Sequence, residues 1–285
     1  MNKKVPLKSN EADCMGSPIN GFMRIIPQYS SEDYKATGKL TNKNAVVTAG
    51  ENGVGRAVSI AFAREGADIV LIYSHQKYEK EIKKIVRTIE HLGRKVWLFK
   101  SCTFDEFKCK QLFEKITKQV KKIDILVNTF SVTNKKDSET GHYLLRKNDT
   151  LKIQSLFTMG RIAPEYIAPN GVIINSATLC AYAQPDQLIF YSALKTAVKA
   201  YTQEMNRMLS LAKNSLRING ITTGSIWSDN FPDALPNYES LPFNINSMAP
   251  MHPYEVAPLY VFMASDESKP IAGETLDAGG KIYKY

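Results

Sequence analysis

The stretch that decides the fold is Asn44-Ala-Val-Val-Thr-Ala-Gly-Glu-Asn-Gly-Val-Gly-Arg56. It begins as a short apolar strand, turns through glycines and continues into the helical pattern 57–63. A strand, a glycine turn and a helix N-terminus together form a site for a pyrophosphate. Glycine lets the backbone approach the phosphates, and the first turn of a helix offers free N–H groups. A second strand at 67–73 closes a βαβ unit, so this stretch predicts the first half of a nucleotide-binding sheet.

Short apolar runs and helical patterns alternate along the rest of the chain. Strands are expected at 44–48, 69–73, 95–99, 123–127, 171–176, 215–221 and 274–277, and helices at 53–65, 77–92, 106–121, 147–167, 190–212 and 253–264. Repeated βα units predict a Rossmann-type, doubly wound α/β fold with a seven-stranded parallel sheet and helices on both faces. Ligands of such sheets bind beyond the carboxyl ends of the strands. Asn128, Thr178 and Gly224 are expected there, after the fourth, fifth and sixth strands.

Length and composition limit the remaining possibilities. The chain has 285 residues, 44% of them hydrophobic, and a net charge of +9. These values predict one Rossmann-type domain over 41–285, preceded by an N-terminal arm over 1–40 that glycines and prolines interrupt. Lysines occur in nearly every helix, which indicates a solvated surface and no nucleic-acid site. No apolar run could span a membrane or serve as a signal peptide, so a cytoplasmic protein is expected.

Cysteines and histidines are scattered and show no metal-ligand spacing, so neither a metal site nor a disulfide is expected. A second motif, Tyr191-Ser-Ala-Leu-Lys195, carries the expected chemistry. It is predicted at the start of a long helix, where positions four apart share a face. An ammonium beside a phenol lowers the pKa of the phenol. Tyr191 is therefore a candidate general acid and base near neutral pH.

The two motifs, in this order, resemble the short-chain dehydrogenase/reductase family over about Lys39 to Gly280. The chain is most similar to a bacterial subset of that family with an N-terminal extension. Its lead-in Tyr34-Lys-Ala-Thr-Gly-Lys-Leu40 and the segments 55–67 and 255–268 carry this likeness. The resemblance implies an NAD(P)-dependent oxidoreductase that transfers a hydride between a nicotinamide and a small carbonyl or alcohol substrate. It also implies a homotetramer in which the helices at 147–167 and 190–212 pack against a second subunit.

The resemblance assigns roles to particular residues. Tyr191 and Lys195 match the catalytic pair, and Thr178, thirteen positions before Tyr191, matches the hydroxyl that polarises the substrate oxygen. The implied cofactor-binding residues are Ala49, Gly50, Gly53, Val54, Gly55, Tyr73, Ser74, Asn128, Tyr191, Lys195, Gly224, Ile226 and Ser228. Tyr73 stands where an acidic residue would select NAD. With Ser74 and Arg56 nearby, its presence favours NADP(H).

Some positions depart from the family pattern. Cys102 replaces an aspartate near the adenine, and the run Thr129-Phe-Ser131 replaces small residues beside the cofactor. Lys152 stands where the family has an asparagine that supports a proton relay. Ser176 is a second candidate hydroxyl, two positions out of register. The departures at Cys102, Thr129-Phe-Ser131 and Lys152 leave an alternative open, namely a cofactor-binding or scaffold protein of the same fold with impaired catalysis.

Overall fold

The computed structural model describes residues 27–51, 53–74, 78–101, 105–132, 147–180, 185–212, 215–227 and 251–278. Within these ranges, the side chains at 130–132, 147–152, 178–180, 185–192 and 225 lie outside the description. In the described part of the chain, no helix is long and apolar enough to cross a membrane.

Strands and helices alternate as the sequence predicts. The strands are β1 (Asn44–Val47), β2 (Asp68–Tyr73), β3 (Val96–Lys100), β4 (Ile123–Val132), β5 (Ile167–Cys180), β6 (Arg217–Ile226) and β7 (Thr275–Ala278). The helices are α1 (Gly53–Arg64), α2 (Glu79–His91), α3 (Glu106–Gln119), α4 (Lys147–Ile162), α5 (Pro185–Leu211) and α6 (Pro253–Ala264). The seven strands form one sheet in the order β3-β2-β1-β4-β5-β6-β7, and every pairing is parallel. The predicted Rossmann-type fold is therefore confirmed.

Apolar side chains cover both faces of this sheet. Ala45 and Val47 of β1 belong to one core cluster, together with Phe62 of α1. Val46, which points to the other face, belongs to a second cluster with Phe113 of α3. Successive residues of a strand point to opposite faces, so a strand buried on both sides must be apolar throughout. This requirement explains why the sequence reads as short apolar runs.

Three strands are longer than the sequence predicts. β4 continues to Val132, β5 covers Ile167–Cys180 and β6 continues to Ile226. Asn128, Thr178 and Gly224 therefore lie inside the strands, near their carboxyl ends, and not after them. The apolar runs stop earlier because polar residues interrupt the last part of each strand, and backbone pairing with a neighbouring strand extends the strands beyond that point.

Two helices also differ from the prediction. α5 begins at Pro185 and not at 190, so Tyr191 lies inside the helix and not at its start. α4 ends at Ile162 and a short 3₁₀ turn follows at Ala163–Glu165. Pro164 explains this early end, because a proline disfavours the helical conformation of the residue before it.

The described part of the N-terminal arm packs against the end of α1. Glu65 accepts hydrogen bonds from the hydroxyl of Tyr34 (2.5 Å) and from the backbone N–H groups of Thr37 (3.0 Å) and Lys39 (2.9 Å). The guanidinium of Arg64 donates to backbone carbonyls of the same segment. From Ser31 to Lys39 the arm is therefore tied to the body of the protein by partly buried polar contacts.

Candidate active site

The glycine turn forms a backbone cradle between β1 and α1. Gly53 has a φ of 55°, and a Cβ added there would meet no atom within 4 Å, so the space above the turn is open. A Cβ on Gly55 would lie 2.4 Å from the carbonyl oxygen of Ala49, and one on Gly50 would lie 2.6 Å from Leu71 Cγ. Only glycine permits these two approaches. The chain is thereby drawn tightly around the N-terminus of α1, as a pyrophosphate site requires.

Ala49 occupies a conformation that favours glycine. Its φ is 49°, in the left-handed region, which costs a residue with a Cβ roughly 1–2 kcal/mol. The turn continues with the Gly50 N–H donating to the carbonyl of Ile72 at 3.1 Å, which holds it against β2. The methyl group of Ala49, which stands where the family has its first glycine, is therefore accommodated at the cost of backbone strain.

A carboxylate lies at the end of β2, although position 73 carries none. Glu51, in the glycine turn, is only 4% exposed. Its Oε1 accepts hydrogen bonds from the backbone N–H of Ser74 at 3.2 Å and from the hydroxyl of Ser74 at 2.5 Å. The sequence reasoning missed Glu51 because it considered only the strand end for an acidic group. The signal that could have indicated Glu51 is its place in the glycine turn of a βαβ unit, because this turn lies next to the end of the second strand.

Arg56 and Tyr73 lie near the same end of the sheet. The Arg56 guanidinium stacks over the ring of Tyr29 at 3.9 Å from the centroid, so the N-terminal arm contacts the first turns of α1. Tyr73 is partly buried and packs against the core cluster that contains α1. Its backbone carbonyl accepts from the N–H of Ser101 at 2.9 Å.

Asn128 is buried and belongs to a hydrogen-bond network that joins four elements. Its side-chain amide donates to the carbonyl of Leu156 in α4 at 2.8 Å and to Asn175 Oδ1 in β5 at 3.2 Å. Asn175 donates in turn to the hydroxyl of Thr202 in α5 at 3.2 Å. These contacts give Asn128 a structural role. Direct contact between Asn128 and a cofactor stays a prediction.

Thr129, one of the departures from the family pattern, has a structural explanation. Its backbone N–H donates to the hydroxyl of Thr48 at 2.8 Å, and its own hydroxyl donates to the carbonyl of Thr48. The two threonines thus lock the ends of β1 and β4 together, where the sheet order reverses direction. Ligands of doubly wound sheets bind at this reversal.

The backbone at Thr178 lies opposite an irregularity in β6. Ala177 pairs with Thr222 and Leu179 pairs with Ser225, so β6 has one residue more than β5 between these two pairs. Gly224 lies within this bulge. Bulges change the direction of nearby side chains and are common beside active sites. The side chain of Thr178 lies outside the described part of the structure.

Ser176, the second candidate hydroxyl, is engaged elsewhere. It is buried, and its Oγ lies 2.5 Å from the hydroxyl of Tyr260 in α6. Burial raises the pKa of Tyr260, so that phenol stays neutral and serves as a hydrogen-bonding partner. Thr178 is therefore the better candidate of the two for the polarising hydroxyl.

Lys195 forms an ion pair that the sequence did not predict. Its Nζ lies 2.8 Å from Asp277 Oδ1 on β7, and Thr222 donates to the same oxygen at 3.3 Å. The side chains of the ion pair are partly exposed, at 23% for Lys195 and 39% for Asp277. The lysine of the predicted catalytic pair is thus held at the carboxyl edge of the sheet.

The remaining predicted residues fall into two groups. Ile226 is buried and forms a bridge with Met251, and the N–H of Trp227 donates to the Met251 carbonyl at 2.9 Å. Ser228 and Cys102, and the side chains of Tyr191, Phe130 and Lys152, lie outside the described part of the structure. The backbone at positions 191 and 152 is described, and it lies in α5 and α4. Among the described residues, no group of three or more His, Cys, Asp or Glu side chains could hold a metal ion.

The residues that the structure describes fit a dinucleotide. The open cradle at Gly53, the close packing at Gly55 and the N-terminus of α1 suit a pyrophosphate. Glu51 and Ser74 provide polar groups at the end of β2, where the ribose of the adenosine half binds in such folds. Lys195 provides a positive charge at the same edge of the sheet. The arrangement suits a dinucleotide cofactor that extends from β2 across the reversal of strand order toward β5.

Comparison with known proteins agrees with this geometry. A family profile described as enoyl-(acyl carrier protein) reductase matches residues 48–280. General stress protein 39 of Bacillus subtilis is 34% identical and covers 92% of this chain and 92% of its own. NADPH-dependent aldehyde reductase 1, chloroplastic, of Arabidopsis thaliana is 31% identical and covers 90% of this chain and 92% of its own. The crystal structure of a short-chain dehydrogenase from Burkholderia cenocepacia in complex with NADP has a TM-score of 0.71 at 23% identity, covering 85% of this chain and 98% of that one.

Proposed function

This chain belongs to the short-chain dehydrogenase/reductase family of NAD(P)-dependent oxidoreductases, and from this premise we propose that it reduces small aldehydes or ketones and oxidises the corresponding alcohols. The observation that carries the proposal is the cradle at the start of α1, with positive φ at Ala49 and Gly53 and no room for a side chain at Gly55. The name of the Arabidopsis aldehyde reductase supports the choice of substrate class.

The catalytic roles follow from the chemistry of each side chain. When bound, the nicotinamide supplies or accepts the hydride. The Tyr191 phenol donates a proton to the carbonyl oxygen during reduction and takes it back during oxidation. Lys195 stabilises the phenolate and binds the ribose hydroxyls. The hydroxyl of Thr178 donates a hydrogen bond to the same substrate oxygen.

We propose a preference for NADP(H) within this function. Tyr73 provides no carboxylate at the end of β2, and Ser74 provides two donors, its N–H and its hydroxyl. Two similar proteins carry the phosphorylated cofactor in their descriptions, the Arabidopsis reductase and the Burkholderia dehydrogenase. The Glu51 carboxylate opposes this preference because it already accepts from both donors of Ser74.

A homotetramer is the proposed assembly. On α5, Ala193 and Ala200 are exposed and Ala197 is partly buried, and these small side chains would permit close approach of a second helix. Near the end of the same helix, Met208 and Leu211 are 57% and 72% exposed. Light scattering at micromolar concentration should give four times the mass of the chain, and a monomeric mass would contradict this assembly. The cytoplasmic location and the division into 1–40 and 41–285 stay predictions of the sequence.

The proposed function is tested by titration with NADPH and NADH, followed by fluorescence, and then by turnover with a panel of aldehydes and ketones. The panel includes one enoyl thioester, because the matching family profile carries that description. Tyr191→Phe should abolish turnover and leave the cofactor dissociation constant within twofold. Tyr166→Phe is the matched control. Tyr166 lies just before the N-terminal end of β5, away from the carboxyl ends of the strands, so this variant should keep full activity. Binding without turnover on any substrate would favour the scaffold alternative.

A further inference from the structure

A buried carboxylate lies at the adenosine end of the proposed cofactor site. Glu51 comes from the glycine turn, and Ser74 follows β2 directly. Glu51 Oε1 accepts both hydrogen bonds that Ser74 can donate, and Glu51 Oε2 is buried without a partner among the described residues. A buried carboxylate oxygen that lacks a donor is costly. The arrangement therefore calls for a ligand at this position.

We propose that Glu51 is a specificity-determining residue for the cofactor, which lowers the affinity for NADP(H) relative to NAD(H). The proposal rests on the function proposed above, since it assumes that a nicotinamide dinucleotide binds along the glycine turn. The acidic group of the ribose site then comes from the glycine turn, and not from position 73 at the end of β2.

Hydrogen bonding and electrostatic repulsion at Glu51 both disfavour a 2′-phosphate. A 2′-phosphate at the end of β2 needs the donors of Ser74, which Glu51 already occupies. It also carries negative charge, which the carboxylate repels at short range in a partly buried site. A 2′-hydroxyl is neutral and can donate to Glu51 Oε2, so NAD(H) meets no such opposition. The carboxylate thus reduces the preference for NADP(H) that the lack of an acidic residue at position 73 favours.

Removing the charge of Glu51 distinguishes a role in cofactor specificity from a purely structural role as a brace between the turn and β2. A brace between the turn and β2 needs only an acceptor for Ser74, and a glutamine amide oxygen supplies one with nearly the same shape. Glu51→Gln therefore keeps the hydrogen bond to the hydroxyl and removes the charge. If Glu51 is only a brace, this substitution should leave the ratio of the NADPH and NADH dissociation constants unchanged. If Glu51 determines specificity, the ratio should change strongly.

The test is calorimetric titration of the full-length protein and its Glu51→Gln variant with four probes: NADPH, NADH, adenosine 2′,5′-bisphosphate and 5′-AMP. The variant should bind NADPH and the bisphosphate at least tenfold more tightly than the unchanged protein. Its affinity for NADH and 5′-AMP should stay the same or fall by a few-fold. Glu114→Gln removes the same charge from an exposed site on α3 and should change none of the four constants. Glu51→Ser is a second neutral variant, expected to act in the same direction.

The outcomes separate the two proposals. Dissociation constants for NADPH and NADH that change by the same factor, or do not change, would overturn the role of Glu51 and leave the proposed function standing. A failure of every variant and of the unchanged protein to bind any of the probes would overturn both. Adding Ser74→Ala to Glu51→Ser, in which position 51 no longer holds the Ser74 hydroxyl, should remove part of the gain for NADPH. A gain that survives in full in this double variant would overturn the hydrogen-bonding part of the proposal.

Discussion

Lys195 and Asp277 form an ion pair across the carboxyl edge of the sheet, with Nζ 2.8 Å from Oδ1. The two residues are 82 positions apart in the sequence and lie on α5 and β7. The family role of Lys195 is to bind the ribose and to act on Tyr191, and the ion pair draws its ammonium toward β7. We therefore expect Asp277 to compete with the cofactor for this lysine.

Replacing Asp277 with asparagine should strengthen cofactor binding. The ion pair is partly exposed, and such pairs contribute at most about 1 kcal/mol, which limits the gain to roughly fivefold in the dissociation constant. Asparagine keeps the shape and a hydrogen bond to Thr222. Fluorescence titration with NADPH and NADH measures the effect, which should be similar for both because the contested lysine lies far from the 2′ position.

The ion pair between Lys39 and Glu267 provides a matched control. Its Nζ–Oε2 distance is also 2.8 Å, and both partners lie away from the carboxyl edge. Glu267→Gln removes the same charge and should leave cofactor binding unchanged. Weaker binding in Asp277→Asn would mean that Asp277 positions the lysine for the cofactor and does not compete with it.

Lys152→Asn should raise turnover if position 152 belongs to the proton relay. This position lies in α4 one helical turn before Leu156, whose carbonyl accepts a hydrogen bond from Asn128. An amide both donates and accepts hydrogen bonds and removes a charge that competes with Lys195. The gain should be tenfold or more, since positioned proton transfer contributes roughly 10²–10⁴ to a rate. Lys118→Asn on α3 is the control, and equal rates in all three proteins would exclude position 152 from the relay.

Ala49→Gly should stabilise the protein. The φ of Ala49 is 49°, and glycine adopts this conformation without the steric cost of a Cβ. The greater freedom of glycine in the unfolded chain offsets part of the gain, which leaves up to about 1 kcal/mol, or roughly 2–4 °C in the melting temperature. Thermal unfolding followed by circular dichroism measures the shift. A lower melting temperature would mean that the methyl group of Ala49 makes a favourable contact.

Stability should fall in acid through Glu65. Burial alone would raise the pKa of this carboxyl, but the hydrogen bonds from Tyr34, Lys39 and Thr37 outweigh burial and lower the pKa below its ordinary value. Because the pKa is lower in the folded state, this stabilisation is complete above the unfolded value of about 4.3 and is lost as the pH falls through the folded value.

Glu65→Gln tests this pH dependence. At pH 7 the substitution should cost about 2 kcal/mol, a typical contribution of hydrogen bonds to a charged group. The difference in unfolding free energy between the two proteins should shrink as the pH falls below about 4, where the carboxyl of the unchanged protein becomes protonated. A difference that stays constant from pH 7 to pH 3 would mean that the charge of Glu65 does not hold the N-terminal arm.

The sequence by itself determined the fold class and predicted the place of the site. Buried parallel strands must be apolar on both faces, so Ala45-Val-Val47 and its equivalents are visible as short runs. The glycines of the turn are visible because the required conformations and close approaches exclude other residues, as at Gly55. Tyr191 and Lys195 are visible because a helix brings positions four apart to one face. All of these are local signals.

Only the tertiary structure decided which polar groups meet at the site. Glu51 and Ser74 are 23 residues apart in the sequence, and Lys195 and Asp277 are 82 residues apart. The extension of β4 to Val132 likewise depends on its pairing with β5. Such contacts depend on the packing of several elements at once, and no spacing in the sequence encodes them. A carboxylate absent from position 73 is therefore supplied by the glycine turn, and only the folded chain reveals it.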